Sequence, residues 1–399
     1  MKTNEHTEMG TQLLDSAPKN YPRIGLCLSG GGLRAIAFQF GVLKALYKNS
    51  LLDKVKVISA VSGGSILAGM YAYHEGSFED FEKQVMELLR KGIASSLFRR
   101  VFFSFRAIFS FATLIIYGTY AVFSDIMRSI LLFINRRFRK SSYNNTPEFL
   151  FNIRPPFRRW STRTSILEDI LRDKLFGNKV LSDARINNID VVFNATDLLT
   201  SKPFHFGSSK SGNDILGSVK DNNIDIAHAV AASSAHPIFF PAVDKAYSFI
   251  SEDNSVERIK VLLSDGGIID NLGITSFMSN GMQRENYINC DVNYIICATA
   301  VQGYKRSVPY WLIPRLMRAS ETINRRLLEF EHDNLKRSLA NDEIEGFMLL
   351  CLAEGTNEKI QNYPTNFYAM KQSDIDLIVV RGEKMTEDYL EKCQILKRR

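Results

Sequence analysis

Two consecutive stretches, "RIGLCLSGGGLRAIAFQFGVLKALYKN" (23–49) and "VKVISAVSGGSILAGMYAYHEG" (55–76), each run from a short apolar segment through a glycine turn into a helical pattern. In the first, Phe38, Val42, Leu43 and Leu46 share one helical face, so the apolar segment before the glycines reads as a buried strand and the segment after them as a helix. Repeated β-α units of this kind demand a layered α/β fold with parallel strands, because each crossover helix must lie on a face of the sheet. Further strands are expected at 189–196, 259–264, 293–300 and 375–380, and helices at 164–175 and 315–339. No internal repeat or low-complexity linker divides the chain. At 399 residues, 45% hydrophobic and 23% charged, it suits one large domain over 21–390 behind a polar lead, 1–20, interrupted by one insertion at about 95–160.

The insertion has a chemistry of its own. From Ala107 to Ser124 it carries no charged residue, and "IMRSILLFI" (126–134) follows at once. Between Arg99 and Lys140 stand eight Lys or Arg against one acid, Asp125, within a net charge of +7 for the whole chain. Basic residues bracketing apolar runs favour a lipid surface over nucleic acid, and no nucleic-acid partner is expected. Three readings stay open: an interfacial or re-entrant membrane segment within about 107–134, a membrane-spanning helix, or a helical hairpin packed on the body or on a second subunit. The polar, acid-bearing start of the chain has no signal-peptide pattern, so residence on the cytoplasmic side, associated with membrane, is the expectation. The five cysteines lack metal-ligand spacing and read as reduced core thiols. No metal or other cofactor is expected.

"LSGGGLRA" (28–35) satisfies the dinucleotide-binding pattern with Gly30, Gly32 and Ala35, but the second strand ends in Ser59–Ser62 where that fold needs an acid, and no Gly-Lys-Ser/Thr follows for a phosphate loop. A glycine run opening a helix exposes backbone N–H groups toward a negative oxygen, which also suits the oxyanion of acyl transfer. Gly30, Gly31 and Gly32 are the donors on this reading, with Arg34 holding the turn or adding positive charge. A tight strand-to-helix turn without chemistry is the plain alternative.

Ala60-Val61-Ser62-Gly63-Gly64 departs from the nucleophile elbow, G-x-S-x-G, only at its first position, where alanine adds one methyl and a slightly tighter corner is expected. A serine nucleophile needs a base. None of the six histidines stands in a glycine-punctuated turn after a late strand, whereas Asp265 does, ahead of Gly266 and Gly267 in "IKVLLSDGGIIDNLGI". A carboxylate within reach of the hydroxyl can serve as that base once burial raises its pKa. On its own the D-G-G turn is equally a plain turn.

Together "SGGGLR", "VSGGS" and "DGG" resemble the three motifs of the patatin-like phospholipases. The stretches "NATDLLTSKPFHF", "AVAASSAHPIFFPAV", "DGGIIDN" and "YPTNFYAMKQSDIDLIVVRGEKM" look like further family blocks in the family's order, so the resemblance covers about 20–90 and 160–385 and leaves the insertion outside. It implies a three-layer α/β/α fold with a mainly parallel central sheet, and a Ser-Asp dyad carried by Ser62 and Asp265. Gly30, Gly31 and Gly32 would form the oxyanion loop, supported by Arg34, Gly63, Gly64, Gly266 and Gly267. It also implies metal-free hydrolysis of acyl esters of membrane glycerophospholipids to fatty acid and lysolipid. Ala60 and Ala35 replace small residues of the family pattern. A catalytically silent, membrane-bound interaction protein on the same fold is the competing reading, and regulation by a ligand, a partner or self-assembly into a homo-oligomer stays open.

Overall fold

The computed structural model describes residues 23–103, 105–138, 162–184, 189–251, 254–277, 292–303, 310–354 and 358–392. The polar lead, His6, Cys290, Cys393 and residues 139–160 of the insertion lie outside them. In chain order the elements begin β1 (Ile24–Leu28), α1 (Gly32–Lys48), β2 (Val55–Val61), α2 (Gly63–Ala72), α3 (Phe78–Lys91), α4 (Ala94–Phe103), α5 (Phe105–Phe138) and α6 (Arg163–Leu171). They continue β3 (Asp190–Asp197), β4 (Lys202–Gly207), β5 (Ser211–Asn213), β6 (Gly217–Val219), α7 (Ile226–Ser233), β7 (Val243–Ile250) and β8 (Val256–Asp265). The chain closes with β9 (Tyr294–Thr299), α8 (Leu312–Ala340), β10 (Gly346–Cys351), α9 (Glu358–Gln361) and α10 (Gln372–Lys392).

One sheet holds every named strand, in the order β10-β9-β1-β2-β3-β4-β5-β6-β7-β8. From β10 to β3 the pairings are parallel; from β3 onward they are antiparallel, and β8 returns to pair with the end of β3. The parallel half is covered on both faces, as period-two alternation along β9 shows. Tyr294, Ile296 and Ala298 enter the core shared with α1, α2 and α10, while Ile295 and Cys297 enter a second core under Leu328 and Leu335 of α8. The arrangement is the expected α/β/α layering. Cys27, Cys297 and Cys351 are buried free thiols, in line with the expectation for them.

Residues 375–380 are not a strand. They lie in α10, where Ile375, Ile378, Val379, Gly382 and Met385 are buried at helical spacing against α1. The β-branched run suggested extended chain, but the i, i+3, i+4, i+7 periodicity governs, and Gly382 lets the helix reach the Phe38 carbonyl of α1. The sheet is mixed and not mainly parallel, with four parallel and six antiparallel pairings, and the antiparallel strands β4 to β7 and the parallel β10 were not foreseen.

The apolar runs of the insertion form a single helix, α5, of 34 residues, not a hairpin. Many of its described apolar side chains, among them Ile115, Val122, Phe123, Ile126 and Phe133, are exposed, as are Phe98, Phe102 and Phe103 of α4, while Leu131 and Leu132 are half-buried. Among the described residues no helix is long and apolar enough to cross a membrane. The side chains of 107–111, 113, 114 and 117, on which the spanning reading leaned, lie outside the description.

Candidate active site

β1 and β2 run parallel with Leu28 opposite Ala60, so both strands end at the same level and deliver Ser29–Gly32 and Ser62 side by side at the carboxyl edge of the sheet. Ser62 takes φ 52° and ψ −117°, a conformation a side-chain-bearing residue adopts only under constraint, and this turns its hydroxyl out of the strand. The constraint comes from outside the motif. Ser233, at the end of α7, accepts the Ser62 N–H at 3.0 Å and donates to the Asn194 carbonyl at 2.6 Å. With its single proton so used, Ser233 must accept from the Ser65 hydroxyl, 2.8 Å away.

The glycines after Ser62 allow the close approach that this corner needs. A Cβ at Gly63 would lie 2.6 Å from the Gly32 carbonyl oxygen, and one at Gly64 would lie 2.2 Å from that of Leu28. The alanine of the elbow causes no distortion: Ala60 packs in the core, its carbonyl accepting from Asn194 Nδ2 at 3.1 Å, and the turn forms around it.

Asp265 ends β8 opposite Ala195 of β3, which brings it to the same edge from the antiparallel half. Its backbone is clamped by the Ala235 carbonyl at 3.1 Å and the Thr196 hydroxyl at 3.0 Å. The carboxylate accepts the Gly267 N–H at 2.8 Å, and the Ser62 hydroxyl lies close enough to lower its proton affinity. Burial pushes the carboxyl above its ordinary range, while nearby His236 and these two groups pull it back. Gly266 is pressed against the Asn194 carbonyl, where a Cβ would stand 2.3 Å away.

In the glycine loop Gly31 and Gly32 have φ of 145° and 63°, turning the chain so that α1 starts beside Ser62. The three amides are not equivalent. Gly30 N–H points to the Asn271 carbonyl at 3.4 Å, whereas among the described residues the N–H groups of Gly31 and Gly32 meet no acceptor and stand at the start of α1. Arg34 does not face the serine. It is buried, its Nη1 donates to the Tyr363 carbonyl at 2.6 Å, and burial holds its guanidinium down at about 10. Of the two roles foreseen for it, the structure shows holding the turn. Tyr363 and Asn366, whose carbonyl accepts Leu33 N–H at 3.0 Å, belong to the tail segment that closes over the loop.

All the residues expected at the site therefore gather at one edge of the sheet. Sequence reasoning missed Ser233, Asn194, Asn271 and His236. His236 follows Ala235, whose carbonyl clamps Asp265, and its Nε2 lies 3.4 Å from Ser320 Oγ of α8. The hints in the sequence were that Ser233 and His236 sit in the small-residue block "AVAASSAHP", that Asn194 opens "NATDLLTSKPFHF" and that Asn271 closes "DGGIIDN". The other described histidines are engaged elsewhere: His205 with Asn194, His228 between Glu168 and Tyr247, His74 with the Ser77 carbonyl, and His332 edge-on to Phe347.

The sequence profile of the patatin-like phospholipases matches residues 26–278, a stretch that contains the glycine loop, Ser62 and Asp265. The chain belongs to the patatin-like phospholipase family. Among solved structures, human GIVD cytosolic phospholipase A2 is similar in fold, with a TM-score of 0.50 at 11% identity over 94% of this chain. The patatin-like chain described here spans 60% of that protein's length. VipD from Legionella pneumophila is matched over 94% of this chain and 68% of its own, at 13% identity and a TM-score of 0.39. The ExoU–SpcU complex of Pseudomonas aeruginosa is matched over 95% of this chain and 52% of its own, at 16% identity and a TM-score of 0.33. No curated protein sequence matches.

Proposed function

We propose that the protein is a serine acyl hydrolase that cleaves acyl esters of membrane glycerophospholipids through a Ser62–Asp265 dyad. The observation that carries this reading is the strained Ser62 corner beside the buried Asp265 carboxyl, on whose proton affinity the serine hydroxyl acts, and beside two backbone amides without an acceptor among the described residues. Asp265 accepts the hydroxyl proton as Ser62 Oγ bonds to the ester carbonyl carbon. The carbonyl oxygen, now anionic, is met by the amides of Gly31 and Gly32, each donor being worth ~10²–10³ in rate. Collapse breaks the ester C–O bond, and the lysolipid leaves with the proton from Asp265. Water then attacks the acyl-enzyme, giving its proton to the same carboxylate; the acyl–Oγ bond breaks, Ser62 Oγ takes that proton back, and fatty acid departs. Of the expected loop donors, Gly30 takes the supporting place, because its amide is already engaged by Asn271.

The body over 21–390 is the hydrolase domain, and the segment at about 95–160 is its lipid-facing insertion. The exposed apolar side chains of α4 and α5, together with Arg99 and Arg128, suit the headgroup region of an anionic bilayer on its cytoplasmic side. α4 starts at the rim of the site, since the N–H groups of Ile93 and Ala94 both donate to the Phe367 carbonyl, one residue from the Asn366 that caps the glycine loop. Mass spectrometry of lipids from liposomes incubated with the wild type, Ser62→Ala and Asp265→Asn tests the proposal. Fatty acid and lysolipid from the wild type alone are expected; equal, background product from all three would leave the silent interaction protein standing.

A further inference from the structure

Under the glycine loop lies a pair of carboxyl groups that the dyad does not use. Glu331 of α8 is 3% exposed, and its Oε1 accepts the N–H of Asn271 at 2.9 Å and that of Leu272 at 3.4 Å. Asp270 stands close enough to act on the Glu331 carboxyl, while Oε2 has no hydrogen-bond partner among the described residues. Asp270 already accepts four donors: the N–H groups of Gly273, Ile274 and Thr275, and the Thr275 hydroxyl. Burial and the Asp270 carboxyl push that of Glu331 well above the ordinary range.

The consequence reaches the site through Asn271. Its N–H is held by Glu331, its carbonyl takes the Gly30 N–H, and its Oδ1 would lie 2.9 Å from a Cβ on Gly30 and 2.8 Å from one on Gly267. Asn271 is thus wedged between the glycine loop and the turn that follows Asp265. Docking α8 on the sheet calls for no carboxyl group: Leu328 and Leu335, one turn to either side of Glu331, already fill that face. An apolar side chain would bury there at lower cost.

We propose that Glu331 is a positioning residue for the oxyanion loop, holding Asn271 so that Gly30 is fixed and the Gly31 and Gly32 amides face the carbonyl attacked by Ser62. This inference rests on the dyad reading. It draws in a residue of α8, beyond the stretch 26–278 that the family profile matches.

The test compares the full-length wild type, Glu331→Ala, Glu331→Gln and Ser62→Ala. Labelling by a fluorophosphonate gives both its rate and its final stoichiometry, and turnover of phosphatidylcholine vesicles gives kcat and KM. Glutamine keeps the side-chain length and an acceptor for the Asn271 N–H. Expected is that Glu331→Ala labels to the wild-type stoichiometry but ~10–100-fold more slowly, with kcat reduced in parallel and KM unchanged. Glu331→Gln should restore most of that loss. The proposal is overturned if Glu331→Ala labels at the wild-type rate. It is equally overturned if its stoichiometry falls in step with its rate, which marks a folding role, or if Glu331→Gln is as slow as Glu331→Ala. A wild type that labels no faster than Ser62→Ala overturns the dyad reading itself, and this inference with it.

Discussion

The edge of the sheet around Ser62 and the arm formed by α4 and α5 are both rich in small or apolar residues, yet they meet opposite fates. Around Ser62, Ala60, Ser65, Asn194 and Ser233 are fully or nearly fully buried, and the serine's backbone N–H has a partner. Along the arm Leu97 and Val101 pack on the core, but most of the large described apolar side chains face outward, with Phe103 79% exposed. The first region is completed by the chain's own strands. The exposed face of the second is left uncovered by the described residues, and the proposed bilayer would fill that role.

Losing the dyad should have the largest effect. Ser62→Ala and Asp265→Asn are each expected to cut vesicle phospholipid turnover by ~10⁴-fold or more while leaving vesicle binding unchanged in a flotation assay. Asp265→Asn should also melt no lower than the wild type. The sign follows from burial: with the folded-state pKa raised, the stability that Asp265 lends is present below its ordinary value of 3.8 and is lost as pH rises through the folded value. Asparagine removes that loss. Activity runs the other way, because the base must be ionised, so kcat/KM should fall as pH drops through a value above 3.8. An acid limb at or below that value would show the carboxylate to be better solvated than its burial implies.

On the arm the pattern should reverse. Replacing Phe102, Phe103 and Phe123 by serine should weaken vesicle binding by ~10-fold or more, since burying one such side chain contributes ~1.5–3 kcal/mol. Hydrolysis of a soluble short-chain ester should stay within ~2-fold, and Tm should hold. Unchanged vesicle binding would remove the arm's lipid role. Within the site, Gly64→Ala forces a methyl onto the Leu28 carbonyl and should cost ~1–3 kcal/mol by thermal unfolding, with activity falling alongside. Smallest is Ala60→Gly, which restores the family's usual residue: activity within ~3-fold and at most ~1 kcal/mol of stability lost.

The parallel half of the sheet was legible because its signals are local: β1 and β2 are continuous apolar runs that stop at glycines, and α1 shows its buried face within four turns. The antiparallel half was not. β5 and β6 are three residues each, made largely of serine, glycine and asparagine, and only pairing with neighbours makes them strands. α10 was misread because its β-branched run is apolar enough for a buried strand, and its packing against α1 decided between the two. At the site, the motif-bearing residues could be named, whereas those that hold them could not. Ser233 is separated from Ser62 by 171 positions and Glu331 from Asn271 by 60.

From its order of residues alone, this chain determined that two strand-glycine-helix units would stand side by side and that a serine and a glycine loop would emerge from their ends. That follows from short-range sterics and period, which act within a few residues. Only the tertiary structure decided which amides remain available beside the serine, that Arg34 ties the loop instead of facing the substrate, and that Asp265 arrives from an antiparallel strand to meet Ser62. Those outcomes depend on hydrogen bonds and buried charges between distant segments, whose energies exist only once the sheet has closed around them.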